Sequence, residues 1–423
     1  MRLKPERTLV RLVNDGGIFL GFIVQEALFM ENIVITSAVR TPIGSFGGIF
    51  RNVMPYKLAS AVIKEAVKRS NLKPEQVEEV ILGNAIMRTD EANVARVAAL
   101  KAGIPTNVPA FTVQRQCSSG MQAIVSGMQE LLIGDSEIVV AGGVESMSSA
   151  PYVLKTVRWG NRLQHGEMTD SLWEILHDPN YHIMMGQTAE NLAEKYDISR
   201  EEQDQIACRS HKNAFNAIKN GYFKSQIVPI GSAKRKENRI DTDEHPRPDI
   251  SMETLKKLPP LFKKGGTVTA GNSSGINDGA AALVMMRESK AIELGIEPMA
   301  RIVAYAWAAV EPWLMGYGSV PATKKVLKKA NLSLDDIQLI EINEAFSAQY
   351  LACEKLLGLN REIVNVNGSG IGLGHPGGCT GARIVVSLIH ELKRRELKLG
   401  LASLCVAGGM GMSMLIENYQ KQV

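Results

Sequence analysis

Apolar residues at Met121, Ile124, Val125, Met128, Leu131 and Leu132 recur at the spacing of one helix face, and predict a buried helix entered through QRQCSSG (114–120). Shorter apolar runs read as strands instead: VEEVILGN (77–84), IQLIEIN (337–343) and the stretch after Met30, MENIVITSAVRTPIG. Strands of this kind alternate with helical stretches in both parts of the chain. That pattern predicts largely parallel sheet covered by helices.

The pattern also repeats. NLKPEQVEEVILGNAI (71–86) matches NLSLDDIQLIEINEAF (331–346) at an offset of 260, and VSGMQEL (125–131) matches VSLIHEL (386–392) at 261. VAGG (140–143) and VAGG (406–409) match at 266, which suggests a few inserted residues. Matches in one order at nearly one offset imply two homologous α/β halves. The expected division is 30–150 for the first half, 151–289 for an inserted loop domain with its return to the core, and 290–423 for the second half. The insertion differs in character, with WGNRLQHGEMTD (159–170), KRKENR (234–239) and DEHPRPD (243–249). Residues 1–29 are expected to lie outside the fold. Their apolar stretch GIFLGFIVQEALFM (17–30) is interrupted by Gln25 and Glu26, too early for a membrane span, and has no small-x-small cleavage site.

Composition narrows the function classes. A chain of 423 residues with 45% hydrophobic and 22% charged residues is long enough for a large core. A net charge of +4 does not argue for nucleic acid and suits an anionic small molecule equally well. The five cysteines, Cys117, Cys208, Cys353, Cys379 and Cys405, form no C-x-x-C pair, which points to a reducing cytoplasm. The seven histidines show no ligand spacing, so no metal is expected.

The repeat places chemistry. At offset 261, Cys117 falls opposite Gly378 and SSG (118–120) opposite CTG (379–381). Packing about a pseudo-twofold axis then brings two helix N-termini together, with Cys117 and His375 in one neighbourhood. A helix N-terminus and a nearby imidazole are expected to stabilise a Cys117 thiolate. The alternatives are a small residue at a crowded helix start for Cys117 and a surface turn for His375. Cys405 enters a glycine-rich turn; it is either a core residue or a thiol gained where the other half has Val139. Glu341 and Asn343, in EINEAF (341–346), stand where a strand ends, and Asn343 is either an amide donor to an oxyanion or ordered water, or a helix N-cap.

Taken together, RTPIGSFGG (40–48), QCSSGMQA (116–123), GGVESMSSAP (142–151), MGQTAENLA (185–193), GTVTAGNSSGINDGAAA (266–282), EINEAF, GHPGGCTGAR (374–383) and CVAGGMG (405–411) resemble the thiolases, the acyl-CoA acetyltransferases. The resemblance runs from Met30 to about Glu417 and implies a thiolase-like α/β fold. It implies that Cys117 is the nucleophile and that His375 activates it. His375 would also line one oxyanion hole with a water held by Asn343. Cys405 would be the second acid/base, and the N–H groups of Cys117 and Ala407 the second oxyanion hole. It further implies coenzyme A contacts at Leu176, Met185, Arg247, Leu258, Phe262, Ala270, Ser274 and Met315, with Arg247 at the adenosine end and Ser274 on the pantetheine amide. Coenzyme A and acetyl-CoA would be substrates, with no permanently bound cofactor, no nucleic-acid or membrane partner, and a homodimer or homotetramer as the assembly. The expected reaction is condensation of two acetyl-CoA or its reverse. A degradative thiolase for longer chains, a non-catalytic scaffold and a cysteine hydrolase are the alternatives.

The chain departs from the family pattern at Met184, where many biosynthetic members have histidine, at Ala407, usually glycine, and at Gln114, commonly asparagine. QCSSG and CTGAR look more like the degradative branch, whereas Met185 and Met315 favour an acetyl-sized pocket.

Overall fold

A computed structural model describes residues 7–14, 17–24, 31–231 and 239–419. Met30 and most of KRKENR lie outside the described residues, and the first core strand begins at Ile33. Arg7–Asn14 and Gly17–Val24 pair with each other as an antiparallel hairpin, separate from the central sheet.

The core strands are β1 (Ile33–Arg40), β2 (Glu79–Gly83), β3 (Ala110–Val113), β4 (Ile138–Ser146), β5 (Asn277–Arg287), β6 (Ala300–Ala309), β7 (Leu339–Ile342), β8 (Leu399–Val406) and β9 (Met410–Asn418). They lie in the order β7-β8-β9-β6-β1-β5-β4-β2-β3. In the first half β1 pairs antiparallel with β5, β5 antiparallel with β4, and β4 parallel with β2, which pairs parallel with β3. In the second half β6, β9, β8 and β7 repeat those relations in the same order, and Val364 bridges β7 where the first half has β3. The two halves meet where β6 touches β1 at Ala300–Ile35 and Arg301–Val34.

The register corrects one sequence match. Ile81 pairs with Ala141, and Glu341 pairs with Ala402, so the 261 offset continues through β4 and β8. The VAGG at 140–143 is mid-strand, whereas Ala407–Gly409 is the turn between β8 and β9. The equivalent of Cys405 is therefore Val144 and not Val139. The first half inserts everything between Ser146 and Asn277 at the place where the second half makes that tight turn.

Side chains alternate across each strand, and in the core strands other than β3 and β6 both faces are largely buried. Ala281, Leu283 and Met285 of β5 pack inward with Met121, Ile124 and Val125, while Ala280, Ala282, Val284 and Met286 pack outward beneath Leu58, Val62 and Ala98. In the second half Leu404, Met412 and Met414 face inward, and Leu401 and Leu415 face outward against Val326 and Leu351. The inner cluster belongs to both halves at once and encloses two helices, Ser119–Ile133 and Gly377–Arg394. The result is five layers: helices, half-sheet, two central helices, half-sheet, helices.

Glycines let the central helices touch backbone to backbone. A Cβ on Gly120 would stand 2.8 Å from the Ala382 nitrogen and 2.9 Å from the Gly378 oxygen; one on Gly381 would stand 2.5 Å from the Met121 nitrogen. The insertion is tied back to β1 through a fully buried pair, Arg40 Nη1 to Asp243 Oδ1 at 2.7 Å and Nη2 to Oδ2 at 2.9 Å. No described helix is long and apolar enough to cross a membrane.

Replacing Gly120 by alanine should therefore cost about 1–3 kcal/mol, the usual range for overpacking. Urea unfolding would measure it, and an unchanged midpoint would mean that the helices do not meet at this point.

Candidate active site

β3 ends at Val113, and the helix containing Met121 begins at Ser119. Cys117 thus sits in a tight elbow just ahead of the N-cap Ser118 rather than in the first turn. Gln116 adopts φ +46°, a left-handed conformation that costs a non-glycine residue on the order of 1–2 kcal/mol. Two serines hold the elbow. Ser119 Oγ accepts from the Arg115 N–H at 2.8 Å and donates to the Gln116 carbonyl at 2.7 Å, while Ser118 Oγ donates to the Arg115 carbonyl at 3.0 Å.

The backbone N–H groups of Ala407 and of Cys117 itself both lower the proton affinity of the Cys117 sulfur. Ala407 follows β8 and precedes Gly408 (φ +84°) and Gly409 (φ +77°), so the turn exposes its N–H. Cys405, at the end of the same strand, is buried and lies within electrostatic reach of Cys117. With Met185, Met315, Ala345 and Ala407 it forms a small apolar cluster against which Phe346 packs.

His375 stands at the entry to the helix Gly377–Arg394 and is buried. Its N–H donates to Asn277 Oδ1 at 2.9 Å. The Thr380 hydroxyl donates its proton to the Pro376 carbonyl at 2.9 Å and lies 2.7 Å from His375 Nδ1. With that proton committed, Thr380 Oγ1 accepts from Nδ1–H, which leaves the Nε2 lone pair free as a base. The Asn343 amide nitrogen is 3.5 Å from both ring nitrogens. Asn343 is not a helix cap, since the next helix begins at Ser347 with Phe346 before it. Its loop is fixed by Asn365, which exchanges hydrogen bonds with Ile342 at 2.9 Å and reaches Glu344 Oε1 at 2.8 Å.

The electrostatics differ from the sequence expectation. Burial pushes the Cys117 thiol up to about 11, outweighing its two N–H donors, and the Glu145 carboxylate pushes the same way. Burial, and then the Arg383 charge, pushes His375 down to about 3. Cys405 is held well above the ordinary thiol range by burial and by both Cys117 and Cys353. Burial therefore favours neutral thiols and a neutral imidazole at rest over a thiolate–imidazolium pair. A low-dielectric pocket penalises each separated charge more than the helix start repays.

Besides Thr380 and Asn365, two further residues beyond the sequence expectations support this centre. Glu145 is fully buried and accepts from the N–H groups of Gly378 (2.8 Å), Ala85 (3.0 Å) and Ile86 (3.2 Å), and from Asn84 Nδ2 (2.8 Å). Burial raises it to about 7. A lone carboxylate inside the apolar run IVVAGGVES was the signal for it. The other residue is Phe346, edge-on to Phe262 at 6.1 Å.

The residues expected to contact coenzyme A are only partly gathered. Met185 and Met315 join Cys405 and Ala407. Phe262 lies over Gly186 and against Phe346, and the Ser274 N–H donates to the Ala345 carbonyl at 2.9 Å. The Leu176 carbonyl accepts from the Met185 N–H at 2.9 Å, Leu258 packs over Gly271, and Ala270 is exposed next to it. Arg247 stands apart, exposed, with its N–H on His211 Nδ1 at 3.1 Å.

Known proteins resemble this chain over most of its length. The thiolase N-terminal domain model matches residues 33–289 and the thiolase C-terminal domain model matches residues 296–418. Beta-ketothiolase BktB of Cupriavidus necator is 48% identical over 390 residues, 92% of this chain and 99% of that protein. The crystal structure of the Bacillus anthracis acetyl-CoA acetyltransferase is 61% identical with a TM-score of 0.90, covering 92% of this chain and 99% of that one. Human mitochondrial 3-ketoacyl-CoA thiolase in complex with CoA is 43% identical with a TM-score of 0.90, over 92% and 99%.

Alkylation of Cys117 by iodoacetamide, followed by peptide mass mapping, should keep accelerating with pH beyond the ordinary 9.0 and approach its plateau near 11. A plateau near neutral pH would indicate a resting thiolate. Thr380→Val should lower kcat about tenfold by releasing the imidazole tautomer, the loss of roughly one hydrogen bond; unchanged turnover would mean that another group fixes the ring.

Proposed function

We propose, since this chain belongs to the thiolase family, that it is an acetyl-CoA C-acetyltransferase, condensing two acetyl-CoA into acetoacetyl-CoA and coenzyme A or running the reverse thiolysis. The names of its relatives support an acyltransferase acting on acyl-CoA. The observation that carries the reading is Cys405 within electrostatic reach of Cys117 and packed with Met185 and Met315, together with a His375 imidazole held by Thr380 at the entry to the other central helix, whose start touches the helix that follows Cys117.

In this mechanism His375 Nε2 takes the Cys117 proton as the sulfur attacks the thioester carbonyl of bound acetyl-CoA. The thiolate exists only as the carbon–sulfur bond forms, which suits a site that disfavours it at rest. The tetrahedral oxyanion is met by preorganised donors, and its collapse expels the coenzyme A thiolate, which takes the Cys405 proton and leaves as the thiol. The Cys405 thiolate so formed removes a proton from the α-carbon of the second acetyl-CoA. The enolate carbon attacks the acetyl group on Cys117, the carbon–sulfur bond breaks, acetoacetyl-CoA departs, and the His375 imidazolium returns its proton to the Cys117 thiolate. Cys117 raises the proton affinity of Cys405, which disfavours two thiolates at once and suits alternating roles.

Donors are assigned to two oxyanions: His375 with a water held by Asn343 for one, and the N–H groups of Cys117 and Ala407 for the other. Coenzyme A is assigned to the insertion, residues 151–289, between the halves 30–150 and 290–423. Its pantetheine would run past Leu176, Leu258, Phe262, Ala270 and Ser274, with Arg247 toward the adenosine end. Residues 1–29 are assigned no part in the fold. Among the described residues β3 pairs only with β2, and its unpaired outer edge supports a homodimer or a larger homo-oligomer. Five free thiols support a reducing, cytoplasmic compartment.

Thiolysis of acetoacetyl-CoA, measured beside 3-oxohexanoyl-CoA and longer homologues, tests the assignment. The four-carbon substrate should be cleaved fastest, Cys117→Ser should lose activity by at least the ~100-fold associated with a missing catalytic group, and Met315→Ala should shift preference toward longer chains. Fastest cleavage of the longer substrates would move the chain to the degradative branch. No cleavage of any substrate by folded protein would overturn catalysis altogether.

A further inference from the structure

Arg115, two residues before Cys117, has no part in the chemistry above. Its guanidinium carbon lies 4.9 Å from the centroid of the Trp307 indole. Trp307 stacks on Tyr305 at 5.5 Å with 27° between the ring planes, and Lys329 Nζ sits 4.3 Å from the Tyr305 centroid. The Tyr305 hydroxyl accepts from Gln129 Nε2 at 3.2 Å. Arg115 and Gln129 belong to the first half; Tyr305, Trp307 and Lys329 belong to the second. A ladder of cations and aromatic rings thus crosses from the nucleophile elbow to β6. Arginine over a tryptophan face is a favourable and directional contact.

The strand that carries Trp307 also holds the other side of the site. β6 runs antiparallel to β9, with Trp307 opposite Met412 and Ala309 opposite Met410. One residue past β6, the Val310 N–H donates to the Gly409 carbonyl at 2.6 Å and pins the turn containing Ala407. The serine hydrogen bonds of the elbow are all local, within Arg115–Ser119, and none relates the elbow to the second half. Yet the Ala407 N–H acts on the Cys117 sulfur from across that boundary.

We infer that the Arg115–Trp307 stack is a positioning device that holds the Cys117 elbow in register with the Ala407 turn, so that the N–H groups of Cys117 and Ala407 converge on one oxyanion. Arg115 and Trp307 touch no reacting atom; they act through the two backbones. The inference rests on the thiolase reading of the site, because it needs an oxyanion to be stabilised.

The test is steady-state thiolysis of acetoacetyl-CoA by wild type, Arg115→Met, Arg115→Lys, Trp307→Leu and the double variant Arg115→Met/Trp307→Leu. Arg115→Met and Trp307→Leu should each lower kcat about tenfold, the scale of a slightly displaced oxyanion donor, with KM within about twofold of wild type. The double variant should be no slower than the worse single one, and Arg115→Lys, which keeps a cation over the indole, should recover most of the loss. Unchanged kcat, additive losses, a loss confined to KM, or a lysine variant as slow as methionine would each overturn the stack as a positioning device while leaving an active thiolase. A folded wild type that turns nothing over would overturn the thiolase reading, and the inference with it.

Discussion

The active site depends on the direct contact of two helix backbones at the centre of the molecule. Each central helix starts from its own half, and each start is too crowded for a side chain at the crossing: Gly120 against Ala382 and Gly378, Gly381 against Met121. Gly143 of β4 closes the same junction against Gly378. This approach puts the helix start that follows Cys117 against the helix start that follows His375, although most of the chain lies between them. Glu145 reinforces the junction by accepting the Gly378 N–H from within β4.

Burial then sets the chemical state of what has been gathered. In water a thiol and an imidazole at a helix start would share a proton readily. Inside this core the charged forms of both are penalised, Cys117 upward to about 11 and His375 downward to about 3. The site is poised with its reactive groups neutral, its imidazole tautomer set by Thr380 and its backbone donors already aimed. Such a site gains most when charge appears on a bound substrate oxygen, because the donors need no reorganisation at that moment. Neutral resting thiols are also less open to adventitious oxidation and alkylation.

The architecture was legible because the repeat is. Polar turn, strand and helix recur at one offset, and duplicated sequence builds duplicated half-sheets with a shared inner helix layer. Cys117, His375, Cys405 and Asn343 stood out for the same reason, at strand ends and helix starts. Other features were not legible. The VAGG match misled because four small residues fit both a mid-strand and a turn, and only strand register distinguishes them. The thiolate expectation reads only the helix start, which is local, whereas burial, the sum of contacts from both halves, pushes against it. Glu145, Thr380 and the Arg115–Trp307 stack act across segments far apart in sequence, and pairings of that kind leave no periodic trace.

The most direct measurement is to mix the protein with acetyl-CoA alone, quench, digest and locate the modification by mass spectrometry. An acetyl group on Cys117, discharged when coenzyme A is added before the quench, is the result this account predicts. An unmodified Cys117, or an acetyl group found on Cys405 instead, would contradict it.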